Sequence, residues 1–247
     1  MEFGLIGRKL IHSYSPKIHS FLGDYKYDLV ELEPTELDIF FNNRDFKGIN
    51  ITIPYKKDVI KYCDCISENA EKIGSVNTIV NKNGRLYGYN TDYYGFGYMI
   101  KKIGIDVNGK KVILLGSGGA GVTCKAVLNS LNAREVITVS RNGENNYSNI
   151  SKHFDAELIV NATPVGMYPN TDESPIELAE FKSCKGVLDL IYNPEKTKLI
   201  QEADTLGIKS INGLSMLIAQ AKQASELFFE KEIDDRIIEK IIKEFKI

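Results

Sequence analysis

Val112-Ile113-Leu114-Leu115-Gly116-Ser117-Gly118-Gly119-Ala120-Gly121 is the stretch on which the reading of this chain turns. Four apolar residues in a row suit the central strand of a parallel sheet, covered on both faces. Gly116, Gly118 and Gly121 fit G-x-G-x-x-G. In that pattern the first glycine allows a tight turn and the second lets the backbone approach a pyrophosphate. The third lets helix and strand pack closely. Val122 to Leu131 reads as the helix that follows, so the motif has the strand–turn–helix setting that gives it meaning. A Rossmann-like dinucleotide-binding unit is expected here, with Gly116, Ser117, Gly118, Gly119, Ala120 and Gly121 around the phosphates.

Downstream, Val136 to Val139 is the next strand, and it ends in Ser140-Arg141-Asn142. A carboxylate at that strand end would hold the ribose 2′-hydroxyl of NAD and repel a 2′-phosphate. A guanidinium pairs with the phosphate instead. Ser140 and Arg141 therefore point to NADP. Leu158 to Asn161 and Gly186 to Leu190 are further apolar strands. Their loops, with Thr163 in one and Tyr192 in the other, should line the cofactor crevice. Lys198 to Leu206 reads as helix and Lys209 to Ile211 as a last strand. Gly213 opens a long helix with one apolar stripe, Leu214, Leu217, Ile218, Ala221, Ala224 and Phe228. Met216 and Gln220 lie on a neighbouring face, where Gln220 by itself reads as solvated.

Upstream, the first ~90 residues read as an α/β unit of their own. Phe3 to Gly7 and Tyr27 to Leu32 are strands. Ser13-Tyr14-Ser15-Pro16 leads into a helix, with Pro16 in the first turn and Ser15 placed to cap. Free N–H groups there would favour an anion, although a plain serine cap is the simpler reading. Gly48 to Ile53 alternates isoleucine with Asn50 and Thr52, a strand pattern that should stop at Pro54. Asn50, Thr52 and Lys56 could form a substrate shelf. A solvated edge strand followed by a solvated lysine is again simpler. Lys56 to Tyr62 begins another helix, and Glu68 to Ile73 one more. Ser75 to Val80 and Arg85 to Asn90 flank an Asn-Gly pair, a hairpin signal.

Composition narrows the class. The chain has 247 residues, 43% hydrophobic and 26% charged, with 31 basic and 33 acidic side chains and a net charge of −2. That balance gives no electrostatic case for nucleic acid or an anionic membrane. No apolar run approaches the ~20 residues of a membrane span, and the N-terminus lacks a signal-peptide layout. A cytoplasmic protein acting on a small molecule is expected, with a homodimer left open. Cys63-Asp64-Cys65 is too tight for usual zinc or redox spacing. Cys124 and Cys184 stand apart, and His12, His19 and His153 are scattered. No metal is expected.

Taken in order, these motifs resemble the shikimate dehydrogenase family. The likeness rests on Ser13-x-Ser15-Pro16, Gly48-x-Asn50-x-Thr52-x-Pro54-x-Lys56, Gly74-Ser75-Val76-Asn77-Thr78 and Gly88-x-Asn90-Thr91-Asp92. It continues through the glycine turn, Asn161-Ala162-Thr163, Asp189 to Pro194 and Gly213-x-x-Met216-Leu217-x-x-Gln220. The resemblance implies NADP-dependent, reversible reduction of 3-dehydroshikimate. It implies Lys56 and Asp92 as the catalytic pair and Ser13 and Ser15 on the substrate carboxylate. Thr52, Asn77, Tyr192 and Gln220 would complete the substrate site, and Gly213 and Met216 would border the nicotinamide. Residues 1–97 plus 214–247 would be the substrate domain and 98–213 the dinucleotide domain, the last helix returning to the first. Ser140-Arg141-Asn142 replaces the family's commoner Asn-Arg-Thr or Asn-Arg-Ser, and Glu144, Asn145 and Asn146 stand where a second basic residue often follows. Pro164 replaces a serine and removes a backbone donor. A quinate/shikimate dehydrogenase using NAD and an inactive nucleotide-sensing relative are the competing readings. The serine pair speaks against the first, and the retained Lys56 and Asp92 against the second.

Overall fold

The computed structural model describes residues 1–11 and 13–245, so His12 lies outside the described residues. Two compact units form, one from Met1–Tyr94 with Ile218–Glu244 and one built on Gly95–Leu217.

The first unit contains β1 (Phe3–Gly7), α1 (Ser15–Leu22), β2 (Tyr27–Glu31), α2 (Leu37–Asn43), β3 (Gly48–Ile51) and β4 (Cys65–Ile66). It continues with α3 (Glu68–Ile73), β5 (Thr78–Lys82), β6 (Arg85–Tyr89) and the start of α4 (Thr91–Ile103). The sheet order is β2-β1-β3-β5-β6-β4. Its β2-β1-β3 half is parallel, while β5 runs antiparallel to both β3 and β6. Asn83 and Gly84 both have positive φ, 53° and 85°, as a two-residue hairpin turn of the primed type requires.

Two expectations about the third strand fail together. It is no solvated edge: β3 pairs with β1 on one side and β5 on the other, and all four of its residues are buried. Asn50 tolerates burial because its amide is fully engaged, with Tyr27 and Thr78. The strand also ends at Ile51, and Ile53 is 76% exposed. Thr52 N–H still reaches Ile6 O, but Tyr55 N–H then closes a turn on Thr52 O, and Pro54 has no donor to offer. Beyond it, Asp58–Tyr62 is a short stretch of 3-10 helix where an α-helix was expected. Only Tyr55 and Val59 are buried there, too few apolar anchors to hold a longer helix against the sheet.

The second unit contains β7 (Lys111–Leu115), α5 (Gly119–Ser130), β8 (Glu135–Val139), β9 (Leu158–Asn161), β10 (Gly186–Asp189), α6 (Lys198–Thr205) and β11 (Lys209–Ile211). Its sheet is wholly parallel, in the order β11-β10-β9-β7-β8. Every residue of β7 is buried, as its unbroken apolar run demands. The chain winds from β7 to β8 on one side and reaches β9 on the other, so the order reverses at β7. Ligands of open α/β sheets bind beyond the strand ends at such a reversal, and Gly116 stands there.

α7 (Leu214–Phe229) starts in the second unit, and from Ile218 on it belongs to the first. A side chain at Gly48 would lie 2.3 Å from the Phe228 ring, so the helix end rests directly on the start of β3. Phe228 also packs on Phe3, ring centroids 5.4 Å apart. Lys222, 5% exposed, pairs with Glu226 at 2.8 Å and Asp235 at 2.9 Å. α8 (Arg236–Glu244), which buries Ile238 and Ile241, was not anticipated from the sequence. Phe228→Ala should cost about 3 kcal/mol of stability in urea unfolding, the usual range for emptying a buried aromatic site. A loss below ~1 kcal/mol would show that α7 is not anchored there.

Candidate active site

In the first unit, Lys56 follows the end of β3 and Asp92 sits in the first turn of α4. Asn90 stands just before that helix, accepting from Tyr93 N–H at 3.2 Å while its own amide donates to Ser75 O at 2.9 Å. A carboxylate in a first helical turn gains from the unpaired N–H groups and the macrodipole. Lys56 Nζ lies 2.6 Å from Asp92 Oδ2, with side chains 28% and 16% exposed. The pair is therefore open to a ligand yet sheltered enough for its charges to matter.

Asn77 and Gln220 stand beside α4 as well. Asn77 Oδ1 accepts from Thr91 N–H at 2.7 Å, and Thr91 Oγ1 donates to Gln220 Oε1 at 3.5 Å. Ser13 and Ser15 are brought together, but not as expected. Ser15 is the first residue of α1, Tyr14 holds the cap position and no side chain caps the helix. Instead Ser15 N–H donates to Ser13 Oγ at 3.3 Å. Thr52 is half-buried, its methyl against Gly7. Thr91, quoted only as part of a motif, turns out to join Asn77 to Gln220.

The second unit collects Gly116–Gly121, Ser140, Arg141, Thr163, Tyr192, Gly213 and Met216. Gly116 has φ +105°, and a side chain there would meet Ala162 O at 2.9 Å. A Cβ on Gly121 would lie 2.2 Å from Gly116 O. These are the tight-turn and close-packing glycines. Gly118 and Gly119 face open space, with nothing within 4 Å of a Cβ position, and Ser117–Ala120 is exposed. Val122 N–H makes its helix bond to Gly118 O, so the three amides before it lie in the unpaired first turn. Exposed amides, open space and a helix N-terminus fit a pyrophosphate.

Gly116 N–H bonds Val139 O at 2.9 Å, which sets Ser140 beside the glycine turn. Arg141 is exposed, and its charge partly offsets the burial that raises the Tyr147 phenol. Thr163 Oγ1 donates to Asn161 Oδ1 at 2.7 Å and accepts from Val165 N–H at 3.3 Å. The Pro164 turn is therefore held by the Thr163 hydroxyl. Gly213 is packed so tightly that a Cβ would lie 1.9 Å from Leu190 O. Tyr192 and Met216 are half-buried.

Behind these loops lies a buried carboxyl, at a position that stands out in the sequence only as the start of the Asp189 to Pro194 motif. Asp189, 0% exposed, accepts from Asn161 Nδ2 at 3.0 Å, Ile191 N–H at 3.1 Å and Thr197 Oγ1 at 2.6 Å. Burial pushes it up to about 6 despite these bonds.

A parallel sheet with a dinucleotide-type glycine turn at its reversal point, joined in one chain to a separate α/β unit carrying a lysine–carboxylate pair, is the architecture of two-domain, Rossmann-like dehydrogenases. Residues 5–79 match the family described as the shikimate dehydrogenase substrate binding domain. The chain is 38% identical to the shikimate dehydrogenase (NADP(+)) of Clostridium perfringens, over 99% of this chain and 98% of that protein. Its structure is similar to a chorismate mutase/shikimate 5-dehydrogenase fusion protein from Clostridium acetobutylicum, with TM-score 0.94 and 36% identity, covering 98% and 95% of the two chains. It is also similar to shikimate 5-dehydrogenase from Thermus thermophilus in complex with NADP(H) and shikimate, with TM-score 0.88 and 29% identity over 99% of each chain. The chain belongs to the shikimate dehydrogenase family.

Asp189 makes a pH-dependent prediction. Its folded-state value lies above the unfolded one, so the unfolded chain releases this proton first as pH rises. The carboxyl thus costs stability progressively between about pH 4 and pH 6, on the order of 3 kcal/mol for a shift of this size. Asp189→Asn should remove that loss. Urea unfolding of both proteins at pH 4 and pH 7 measures it, and an identical pH dependence would refute the assignment.

Proposed function

We propose that this protein catalyses the NADP-dependent, reversible reduction of 3-dehydroshikimate to shikimate. The observation that carries this reading is the 2.6 Å pair of Lys56 and Asp92 at the end of β3 and the start of α4. The names of the relatives support it, and so does the ligand pair of the Thermus thermophilus complex.

In this reading Lys56 Nζ hydrogen-bonds the ring carbonyl oxygen, stabilises the charge that develops there and delivers the proton. Asp92 keeps the lysine in place and accepts from a neighbouring ring hydroxyl. Asn77, with Oδ1 committed to Thr91, turns Nδ2 toward the ring, and Gln220 adds a second amide. The hydroxyls of Ser13, Ser15 and Thr52 serve the carboxylate. When bound, NADPH supplies the hydride. Gly116–Gly121 and Ser140 would hold its phosphates and ribose, Arg141 its 2′-phosphate, and Thr163, Gly213 and Met216 the nicotinamide side. Residues 1–97, with the segment from 214 on, act as the substrate domain and 98–213 as the dinucleotide domain. We place the protein in the cytoplasm, where free thiols suit the reducing conditions. None of the four cysteines is in a disulfide, and burial pushes Cys63 and Cys184 up to about 11.

Initial rates with shikimate and quinate, each against NADP and NAD, test the reading, and shikimate with NADP should give the largest specificity constant. Lys56→Ala should lower kcat at least a thousandfold with little change in melting temperature. A change confined to KM would make Lys56 a binding residue. Arg141→Ala should lower the NADP/NAD ratio of specificity constants roughly 10- to 100-fold, the scale of one charged hydrogen-bonded contact. An unchanged ratio would remove Arg141 from cofactor recognition.

A further inference from the structure

The polar groups buried behind the proposed substrate residues form one continuous chain. Burial raises the Tyr27 phenol strongly, and the neighbouring Ser15 side chain offsets part of that rise. Tyr27 in turn donates to Asn50 Oδ1 at 2.7 Å. Asn50 Nδ2 donates to Thr78 Oγ1 at 2.9 Å and more weakly to Asn77 O at 3.4 Å. Thr78 Oγ1 lies 3.1 Å from Asn77 Oδ1 and 3.2 Å from Thr91 Oγ1. Thr91 continues the chain to Gln220.

Two main-chain groups fix its polarity. The Asn77 carbonyl can only accept, so Asn50 must turn Nδ2 toward it and Oδ1 toward Tyr27. Thr91 N–H can only donate, so Asn77 must turn Oδ1 toward it. Thr78 accepts from Asn50, which frees its single hydrogen for Asn77 Oδ1 or Thr91 Oγ1. The amides of Asn50 and Asn77 are thereby oriented, and Asn77 Oδ1 has Thr91 on one side and Thr78 on the other. Thr78 itself is fully buried, 0% exposed, and cannot touch a ligand.

We propose that Thr78, backed by Asn50 and Tyr27, is a positioning residue for substrate recognition: its hydroxyl locks the Asn77 carboxamide with Nδ2 outward, so that the site selects a ring oxygen able to accept at that point. The proposal rests on the dehydrogenase reading. Without the Thr78 hydroxyl, Asn77 Oδ1 keeps its bonds to Thr91 but loses one neighbour. Asn50 Nδ2 keeps only its weaker bond. The carboxamide can then tilt about its remaining bond to Thr91 N–H, which swings Nδ2 away from the point where the ligand needs a donor.

Thr78→Val keeps the volume and removes the hydroxyl, while Thr78→Ser keeps the hydroxyl. The valine variant should raise KM for shikimate about tenfold, with kcat and KM for NADP within twofold, and the serine variant should restore KM. In an Asn77→Ala background, Thr78→Val should add nothing further, because its effect passes through Asn77. A wild-type KM in Thr78→Val would overturn the proposal. So would equal defects in the valine and serine variants, which would mark a packing role, or a full additional loss in the Asn77→Ala background. If the unmodified protein does not turn over shikimate with NADP, the dehydrogenase reading falls and this proposal with it. Turnover with an unresponsive Thr78 removes this proposal alone.

Discussion

The bond from Thr91 N–H to Asn77 Oδ1, 2.7 Å long, ties the first unit together at its chemistry. It joins the segment before β5 to the first turn of α4, and it sets Asp92, the next residue, in place. The other side of the same segment is held as firmly, because Val76 N–H bonds Lys56 O at 2.8 Å and Ile51 N–H bonds Asn77 O at 2.8 Å. Lys56 and Asp92 are 36 residues apart, yet only this short series of main-chain bonds separates them. A charged pair needs that stiffness. Two flexible side chains on loose loops lose much of their attraction to entropy and solvent, whereas a pair on fixed backbone keeps its geometry when a ligand displaces water.

The second unit solves a related problem with different groups. Its loops after β9 and β10 must hold a shape beyond the sheet, where no ladder bonds remain. Asp189 supplies the missing acceptors to Asn161, Ile191 and Thr197 at once. Asn161 in turn accepts from both the amide and the hydroxyl of Thr163. An amide of the same shape has a single oxygen and could not accept from all three donors. The carboxylate does so at the cost of its own desolvation, which is why its proton is held up to about pH 6.

What the sequence disclosed and what it hid follow from range. The glycine turn, the Asn83-Gly84 hairpin and α3, which Ser67 caps and Gly74 ends, are local and were legible. Strand placement is not local. The alternation of Ile49, Asn50 and Ile51 gives a strand, but nothing in it says that β3 lies between β1 and β5, so a buried asparagine was read as a solvated one. The partner that makes Asn50 tolerable, Tyr27, is 23 residues away. Lys56 and Gln220 looked like ordinary solvated residues by themselves, and only the ordered set of motifs singled them out. Ser15 has the residue type that favours a capping role, whereas it stands inside the helix, no side chain caps it and its amide is satisfied by Ser13.

In the proposed reading Arg141 is the basic residue that meets the 2′-phosphate, and the loop that carries it is well ordered by its own hydrogen bonds. The loop after β8 is stapled by its own asparagines. Asn146 Nδ2 donates to Gly143 O at 3.2 Å, Asn149 Nδ2 to Glu144 O at 2.8 Å, and Ser140 N–H to Asn145 O at 3.1 Å. His153 holds Asn145 from outside the loop at 2.9 Å. Residues in the positions of a second cation thus contribute rigidity rather than charge. An ordered loop spares the entropy that a flexible one loses on meeting a phosphate, so in the proposed reading a single guanidinium would keep more of its bond to the 2′-phosphate. Glu144 spends its main-chain carbonyl on this staple and has an exposed side chain. In water that carboxylate is screened within about one Debye length, roughly 8–10 Å, and its repulsion of a 2′-phosphate falls accordingly. In the proposed reading, discrimination between the two nicotinamide cofactors would rest on the guanidinium of Arg141.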